Sequence, residues 1–299
     1  MIDLHIHTTC SDGQLTVEQL LEKANNAGIS VISFCDHNVL GAYQILDNMD
    51  LSKYRTRIIT GIEFDFVFNH KDFHMLGYDF DWKMMNKSNL INTKSEEEII
   101  QDENKKLTFL KEVCRKQGIK FDENLIISRK NDKASTIMKY HMMEFKENDE
   151  ILDEMLGKNR DKSFARGYVH NPNSPFFIDE TIELPTAIDV ANLIHSCGGK
   201  VVLAHPFDYK DINHKEYIQD IYNLGILNGI ECLHTRHRIE QIEYIKSFCK
   251  KNNLLLTGGS DFHREQKQTL GYGANGTIPI TEEYCFKKIY TDRSSLKVV

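Results

Sequence analysis

Short apolar segments that favour β-strands alternate with amphipathic helical segments at both ends of this 299-residue chain. The predicted strands cover residues 2–6, 30–35, 57–66, 73–80, 200–204, 229–233 and 254–257. The predicted helices cover residues 16–27, 39–49, 186–196, 215–224 and 239–251. Thr16 is the expected N-cap of the first helix and Gly28 its stop. The continuous apolar strands indicate burial on both faces, so the pattern predicts an α/β fold.

The segment between these two regions has a different composition. Residues 84–170 are rich in Lys, Glu, Asp and Asn, with helical patterns at 96–117, 133–145 and 149–156. This segment contains no spacing typical of a metal site. We predict that it is a helical insertion. A flexible linker is the alternative, which the apolar stripes on the helices disfavour.

Charge and composition exclude several classes of protein. The net charge of −7 argues against a broad basic surface for nucleic acid. The sequence has neither an apolar run near 18 residues nor the features of a signal peptide, so we expect a cytoplasmic protein without a membrane span. The seven cysteines include no C-x-x-C pair, which predicts reduced, buried thiols that bind no zinc.

Histidine and acidic residues lie at or beside the predicted strand ends. In DLHIHTTCSDG, His5 and His7 face the same side of a strand and Asp12 follows in the next loop. Further along the chain come Asp36, His37, Glu63, His74, His205, Glu231, Asp261 and His263. A single such histidine is more often a hydrogen-bonded core residue, but parallel β/α barrels gather strand ends at one mouth. Imidazole and carboxylate ligands without cysteine predict a site for Zn²⁺, Mn²⁺ or Fe²⁺.

The motifs DLHIHTTCSDG, CDHN, GIEF, FHMLGY, LAHP, GIE and GSDFH, in this order, resemble those of the PHP (polymerase and histidinol phosphatase) family. The resemblance implies a distorted (β/α)₇ barrel built from residues 1–83 and 171–299, with a helical insertion domain at 84–170 that covers the cleft. It also implies two or three divalent metal ions (Mn²⁺, Zn²⁺ or Fe²⁺). The implied ligand sets are His5, His7, Glu63 and Asp261; then Glu63, His74 and His205; then Asp12, His37 and His263. Some members have histidine where this chain has Asp12, whose hard oxygen favours Mn²⁺ or Fe²⁺. Glu231 is either an outer partner of these ligands or a structural residue.

The resemblance also implies a reaction, the hydrolysis of a phosphomonoester by metal-bound hydroxide. Glu63 and Asp261 would be catalytic through the metals, and His237 would protonate the leaving oxygen. Candidate phosphate-binding residues are Arg264, Arg166 and Arg236, each of which could equally be a solvated surface charge.

Three functions fit this sequence. Members with an insertion resemble phosphatases of 3′,5′-nucleoside bisphosphates or of short oligoribonucleotides, so a nucleotide or a short RNA end is the expected partner. The alternative is a phosphatase of a small metabolite such as histidinol phosphate. A non-catalytic PHP module is the third possibility, which the complete set of ligand positions disfavours. The sequence predicts neither a membrane nor a protein partner.

Overall fold

The computed structural model describes residues 1–91, 94–130 and 132–282. Seven strands form one sheet in chain order: β1 (Ile2–Ile6), β2 (Val31–Phe34), β3 (Arg57–Phe68), β4 (Lys71–Tyr78), β5 (Lys200–Leu203), β6 (Gly229–His234) and β7 (Leu255–Gly259). A small ribbon pairs β8 (Tyr272–Gly273) with β9 (Ile278–Pro279). The helices accompanying the sheet are α1 (Val17–Asn26), α2 (Gly41–Leu46), α3 (Trp82–Met85), α7 (Ala187–Ser196), α8 (His214–Asn223) and α9 (Ile239–Asn252).

The seven-stranded sheet curls into a nearly closed barrel, which confirms the predicted α/β barrel. Next to the end of β7, the Phe262 N–H donates to the His5 carbonyl at 3.4 Å, and the His7 N–H donates to the Phe262 carbonyl at 2.9 Å. A Cβ on Gly259 would lie 2.1 Å from the Cβ of His5, so only glycine allows this close approach of β7 to β1. The closure brings the first and last motifs of the sequence together.

Strand direction is mixed, and this matters for the site. The pairs β1–β2, β2–β3, β5–β6 and β6–β7 are parallel, whereas β4 is antiparallel to both β3 and β5. Asn69 and His70 connect β3 to β4 as a two-residue turn with φ of 48° and 60°, the left-handed geometry of a tight hairpin. The hairpin extends β3 past the predicted 57–66 to Phe68 and starts β4 at Lys71, before the predicted 73–80, although β4 ends earlier, at Tyr78. Its register places His74 opposite Asp65.

The predicted start and stop of α1 are confirmed, whereas α2 differs from its predicted limits. Thr16 caps α1 in a capping box with Gln19, as predicted, and Gly28 follows the helix with φ of 69°. Helix α2 spans Gly41–Leu46 and is shorter than the predicted 39–49; Leu40 at its N-cap makes no side-chain capping hydrogen bond.

The first unit of the chain contains the described residues of 1–92 and 183–299. All five residues of β1 are buried, including Asp3 and His5, as expected for a strand covered on both faces. Asp3 accepts hydrogen bonds from the Ser260 and Gly271 N–H groups at 2.9 and 2.7 Å. Burial raises the pKa of Asp3 to about 6 despite these bonds. Asp3 is therefore a structural residue that fastens the segment after β7 to β1.

The second unit spans 93–182 and has its own hydrophobic core. Its helices are α4 (Glu96–Gln117), α5 (Ala134–Met142) and α6 (Asp149–Leu156), with a 3₁₀ turn at Lys146–Asn148 and a π-helical turn at Ala165–Val169; a further 3₁₀ turn covers Glu180–Glu183. Leu110, Met138, Leu152 and Phe164 are nearly inaccessible to solvent. These boundaries differ from the predicted insertion at 84–170, because residues 84–91 belong to the first unit and residues 171–182 to the second.

Two further features concern the chain's environment. Within the described residues, none of the helices combines the length and the apolar character needed to cross a bilayer. Six cysteines are free thiols, and five of these are buried. The seventh, Cys285, lies outside the described residues.

Candidate metal centre

Glu63 lies at the middle of the candidate site. It is the seventh residue of β3, and its side chain is 1% exposed. Its Oε1 atom lies 3.1 Å from His74 Nδ1 and 2.9 Å from His205 Nε2. Its Oε2 atom lies 3.2 Å from His5 Nε2, 3.2 Å from His7 Nε2 and 3.4 Å from His37 Nε2. One carboxylate thus separates two sets of imidazoles, the geometry of a ligand shared by two ions.

The first group of possible ligands faces Glu63 Oε2. The Nε2 atoms of His5 and His7 are 3.1 Å apart, and Asp261 Oδ1 lies 3.6 and 3.2 Å from them. Together with Glu63, these atoms lie within 4.8 Å of one another, close enough to share one ion. All four residues are buried. The structure therefore brings together the four side chains that the family resemblance assigned to one ion.

Three more groups adjoin this one: His37, Glu63 and His74; His7, Asp12, His37 and His263; and His5, His205 and Glu231. The predicted set of Glu63, His74 and His205 is not among them, although His205 Nε2 lies 2.9 Å from Glu63 Oε1. His263 Nε2 lies 3.1 Å from Asp12 Oδ2, whose side chain is 56% exposed. His7 and His37 belong to the Asp12 group as well as facing Glu63, so the three predicted ligand sets share more residues than the motifs implied. Asp12 is the most exposed residue of these groups, whereas the side chains of His37 and His74 are 23% and 25% exposed.

His74 reaches the cluster from an unexpected direction. Ligands of parallel barrels are expected at the carboxyl ends of strands, yet His74 is the fourth residue of β4. Because β4 is antiparallel to its neighbours, its first half lies at the edge where the parallel strands end. The hairpin geometry therefore decides the position of His74.

Outer hydrogen bonds orient several of these imidazoles. Glu231 Oε1 accepts the His5 Nδ1–H at 2.9 Å, and its Oε2 accepts the His205 backbone N–H at 2.9 Å. His263 donates its Nδ1–H to the Asp261 carbonyl at 2.8 Å. These bonds direct the Nε2 atoms of His5 and His263 towards the cluster, as metal-binding histidines require. For Glu231 the geometry favours this orienting role, with His5 and His205 as its two partners.

The charges of the cluster depend on one another. Burial opposes ionisation of Glu63, yet the neighbouring His5, His37 and His74 hold its pKa well below the usual range. Burial likewise opposes the charge on His37, but Glu63 and Asp65 raise its pKa to about 10. In the protein without metal, protons on the imidazoles therefore balance the carboxylates. A divalent cation could replace those protons.

The donor set fits a divalent metal ion. It consists of imidazole nitrogens and carboxylate oxygens with no thiolate, the chemistry of Zn²⁺, Mn²⁺ and Fe²⁺ sites. Among the described residues, His7 Nδ1 and His74 Nδ1 are buried nitrogens without a well-aligned hydrogen-bond partner, although Glu63 Oε1 lies 3.1 Å from His74 Nδ1. Buried polar atoms normally have such partners, so these two are suited to a cation instead.

The three predicted phosphate-binding arginines have different surroundings. Arg236 pairs with Asp208, and its Nη2 atom lies 3.8 Å from Asp261 Oδ2, beside the cluster. Arg264 directly follows His263 and is exposed. Arg166 is exposed on the π-helical turn of the second unit. Of the three, Arg236 has a contact that links its guanidinium to a candidate ligand.

The environment of His237 argues against its predicted role as proton donor. The side chain is fully buried, and its Nδ1–H donates to the Cys232 carbonyl at 2.9 Å. Burial and the neighbouring His234 lower the pKa of His237 to about 3. A neutral, inaccessible imidazole is poorly suited to protonating a leaving group, because it carries no readily released proton at neutral pH.

The sequence interpretation missed two polar residues and misjudged a third. His234 accepts the Arg236 N–H on Nδ1 at 3.2 Å and donates from Nε2 to Asp261 Oδ2 at 3.2 Å. Asp65 contacts His37 and His74, and its position two residues after Glu63 could have shown that the two share a strand face. Asp36 is no candidate ligand, since its oxygens accept hydrogen bonds from the loop after β1.

Comparison with known proteins agrees with this geometry. The family model described as "PHP domain" matches residues 3–168, more than half of the chain. A 5′-3′ exoribonuclease of Haemophilus influenzae is 26% identical over 265 residues, which is 87% of this chain and 89% of that protein. A phosphoribosyl 1,2-cyclic phosphate 1,2-diphosphodiesterase of Eggerthella lenta is 24% identical, over 87% of this chain and 93% of that protein.

A solved structure supports the fold. A Chromobacterium violaceum protein described as an amidohydrolase superimposes with a TM-score of 0.66 at 19% identity, covering all of this chain and 98% of its own. The family match and the curated relatives confirm the prediction of an enzyme that hydrolyses phosphoric esters. With its motifs assembled around Glu63 and residues 3–168 matching the family model, the chain belongs to the PHP domain family.

Proposed function

We propose that this PHP phosphoesterase removes phosphate from a nucleotide, either a 3′,5′-nucleoside bisphosphate or a short oligoribonucleotide. The observation that carries the hydrolytic chemistry is the placement of Glu63, whose two carboxylate oxygens face separate sets of imidazoles. Bound at these sets, two or three divalent ions (Mn²⁺, Zn²⁺ or Fe²⁺) would activate water and stabilise charge on the phosphoryl oxygens.

The chain's own residues divide the remaining work. His5, His7, Glu63 and Asp261 would hold one ion. Glu63, His74 and His205 would hold a second, and Asp12, His37 and His263 a third. In the first and third sets the donor atoms lie within 4.8 Å of one another. In the second set, Glu63 Oε1 lies 3.1 Å from His74 Nδ1 and 2.9 Å from His205 Nε2. The exposed Asp12 side supports entry of a charged substrate from that direction.

Arg236 is the proposed contact for the phosphate. Its guanidinium is about half exposed and lies beside Asp261, so it can meet a phosphoryl group held at the cluster. Asp208 holds the guanidinium in this position. Arg264 and Arg166 remain predicted phosphate contacts, both exposed.

The nucleotide part of the proposal is supported by the relatives. The Haemophilus protein is named for action on RNA and the Eggerthella protein for action on a ribose cyclic phosphate, and both match along most of this chain. Both names refer to phosphate esters of ribose. This favours a ribose-linked phosphate over histidinol phosphate as the group that is cleaved.

The test is phosphate release by purified, Mn²⁺-loaded protein. Adenosine 3′,5′-bisphosphate, a 5′-phosphorylated oligoribonucleotide of a few residues and histidinol phosphate would be compared at equal concentration. We expect release from at least one of the two ribonucleotides at a kcat/KM at least tenfold above that for histidinol phosphate. Faster cleavage of histidinol phosphate would overturn the nucleotide assignment, and no release from any substrate by the metal-loaded protein would overturn the phosphatase assignment.

A further inference from the structure

Asp65 contacts two imidazoles of the candidate metal centre, those of His37 and His74. Its Oδ1 atom accepts the His37 Nδ1–H at 3.0 Å and lies 3.5 Å from His74 Nε2. In both rings the other nitrogen faces Glu63, at 3.4 Å for His37 and 3.1 Å for His74. The two imidazoles are therefore bracketed by one carboxylate on each side. Glu63 lies on the buried side, and Asp65, 25% exposed, on the outer side.

Asp65 is itself held in place by Asn38. The Asn38 side chain donates to Asp65 Oδ2 at 2.6 Å and accepts the Asp65 backbone N–H at 3.0 Å. The Asn38 backbone N–H donates to the Glu63 carbonyl at 2.8 Å. Asn38 adopts a left-handed φ of 55°, which asparagine tolerates better than most residues. Three hydrogen bonds of Asn38, the residue after His37, thus fasten the loop after β2 to β3.

We propose that Asp65, locked by Asn38, is a positioning residue that sets the ring orientation of both His37 and His74 for metal binding. The proposal rests on the metal centre of the proposed function and extends it beyond the ligands. Outer carboxylates that accept a histidine N–H fix the tautomer and strengthen the ligand, and losing one typically weakens metal affinity about 10- to 100-fold. Asp65 thus contacts two histidines from separate segments, His37 in the loop after β2 and His74 on β4.

The experiment is a titration of metal-free protein with Mn²⁺ by calorimetry, combined with metal content after desalting by mass spectrometry. The variants are Asp65→Ala and Asn38→Gly, the latter because glycine keeps the left-handed backbone while removing the amide. Asp47→Ala is the matched control, since Asp47 is an exposed carboxylate that pairs with Lys83 away from the cluster. Thermal melting of each metal-free protein measures its folding.

We expect Asp65→Ala to weaken at least one Mn²⁺ site about 10-fold or more and to reduce the retained metal, with the control unchanged. Asn38→Gly should show a smaller loss in the same sites. Mn²⁺ affinities within twofold of wild type for Asp65→Ala would overturn the proposal. If that variant does not fold, Asp65→Asn, which keeps the shape without the charge, decides by the same criterion. A wild-type protein that binds no metal would instead refute the proposed function.

Discussion

Replacing Glu63 by glutamine tests the metal centre most directly. The amide keeps the size of the side chain but has one oxygen and one NH₂ group, where the carboxylate has two oxygens. In either orientation the NH₂ would face imidazole nitrogens, either those of His74 and His205 or those of His5, His7 and His37. One of the two proposed ions therefore loses an oxygen ligand and meets a hydrogen-bond donor.

The size of the effect follows from the lost ion. A metal acting as a Lewis acid on a phosphoryl group contributes several kcal/mol to transition-state stabilisation. Taking about 4 kcal/mol, and about 1.36 kcal/mol for each factor of ten, kcat should fall about 1000-fold. The fold should survive, because the substitution is isosteric and the surrounding imidazoles can become neutral.

The assay is phosphate release from the best ribonucleotide substrate, with bound metal measured on the same samples. Glu243→Gln is the matched control, because Glu243 is an exposed residue that pairs with Lys246 on α9. We expect wild-type rates for the control and a loss of both kcat and metal for Glu63→Gln. Activity within tenfold of wild type at full metal content would refute the bridging role of Glu63.

Three further predictions concern single residues. The pKa of His37 is raised from 6.5 to about 10, so its contribution to stability is complete below pH 6.5 and is lost as the pH rises to about 10; the melting temperature of metal-free protein should fall over that range. His237→Asn should retain kcat within tenfold, since the buried, neutral ring transfers no proton to the leaving group. A 100-fold loss of kcat would restore His237 as the candidate general acid. Arg236→Met should raise KM about tenfold or more with a smaller change in kcat, whereas an unchanged KM would exclude phosphate contact by Arg236.

Much of the site could be inferred from the sequence because its information is local. The alternation of β1 predicts that His5 and His7 share a face, and the same period relates Glu63 to Asp65. Ligand chemistry follows from residue type, and the order of strands and helices follows from periodicity. These features depend on neighbouring residues alone, so the chain specifies them without reference to its tertiary contacts.

Other features depend on contacts between distant segments. The antiparallel direction of β4 places His74 at the edge of the sheet where the candidate ligands lie. That direction is set when β4 pairs with β3 across the turn at Asn69 and His70. The burial of His237 and the attachment of Asn38 to β3 likewise depend on packing that no local pattern encodes. The amino-acid sequence thus determined which candidate ligands are present and on which strand faces they lie. The nearly closed barrel alone decided which of them share an ion-sized space, because residues as far apart in the chain as His5 and Asp261 meet there.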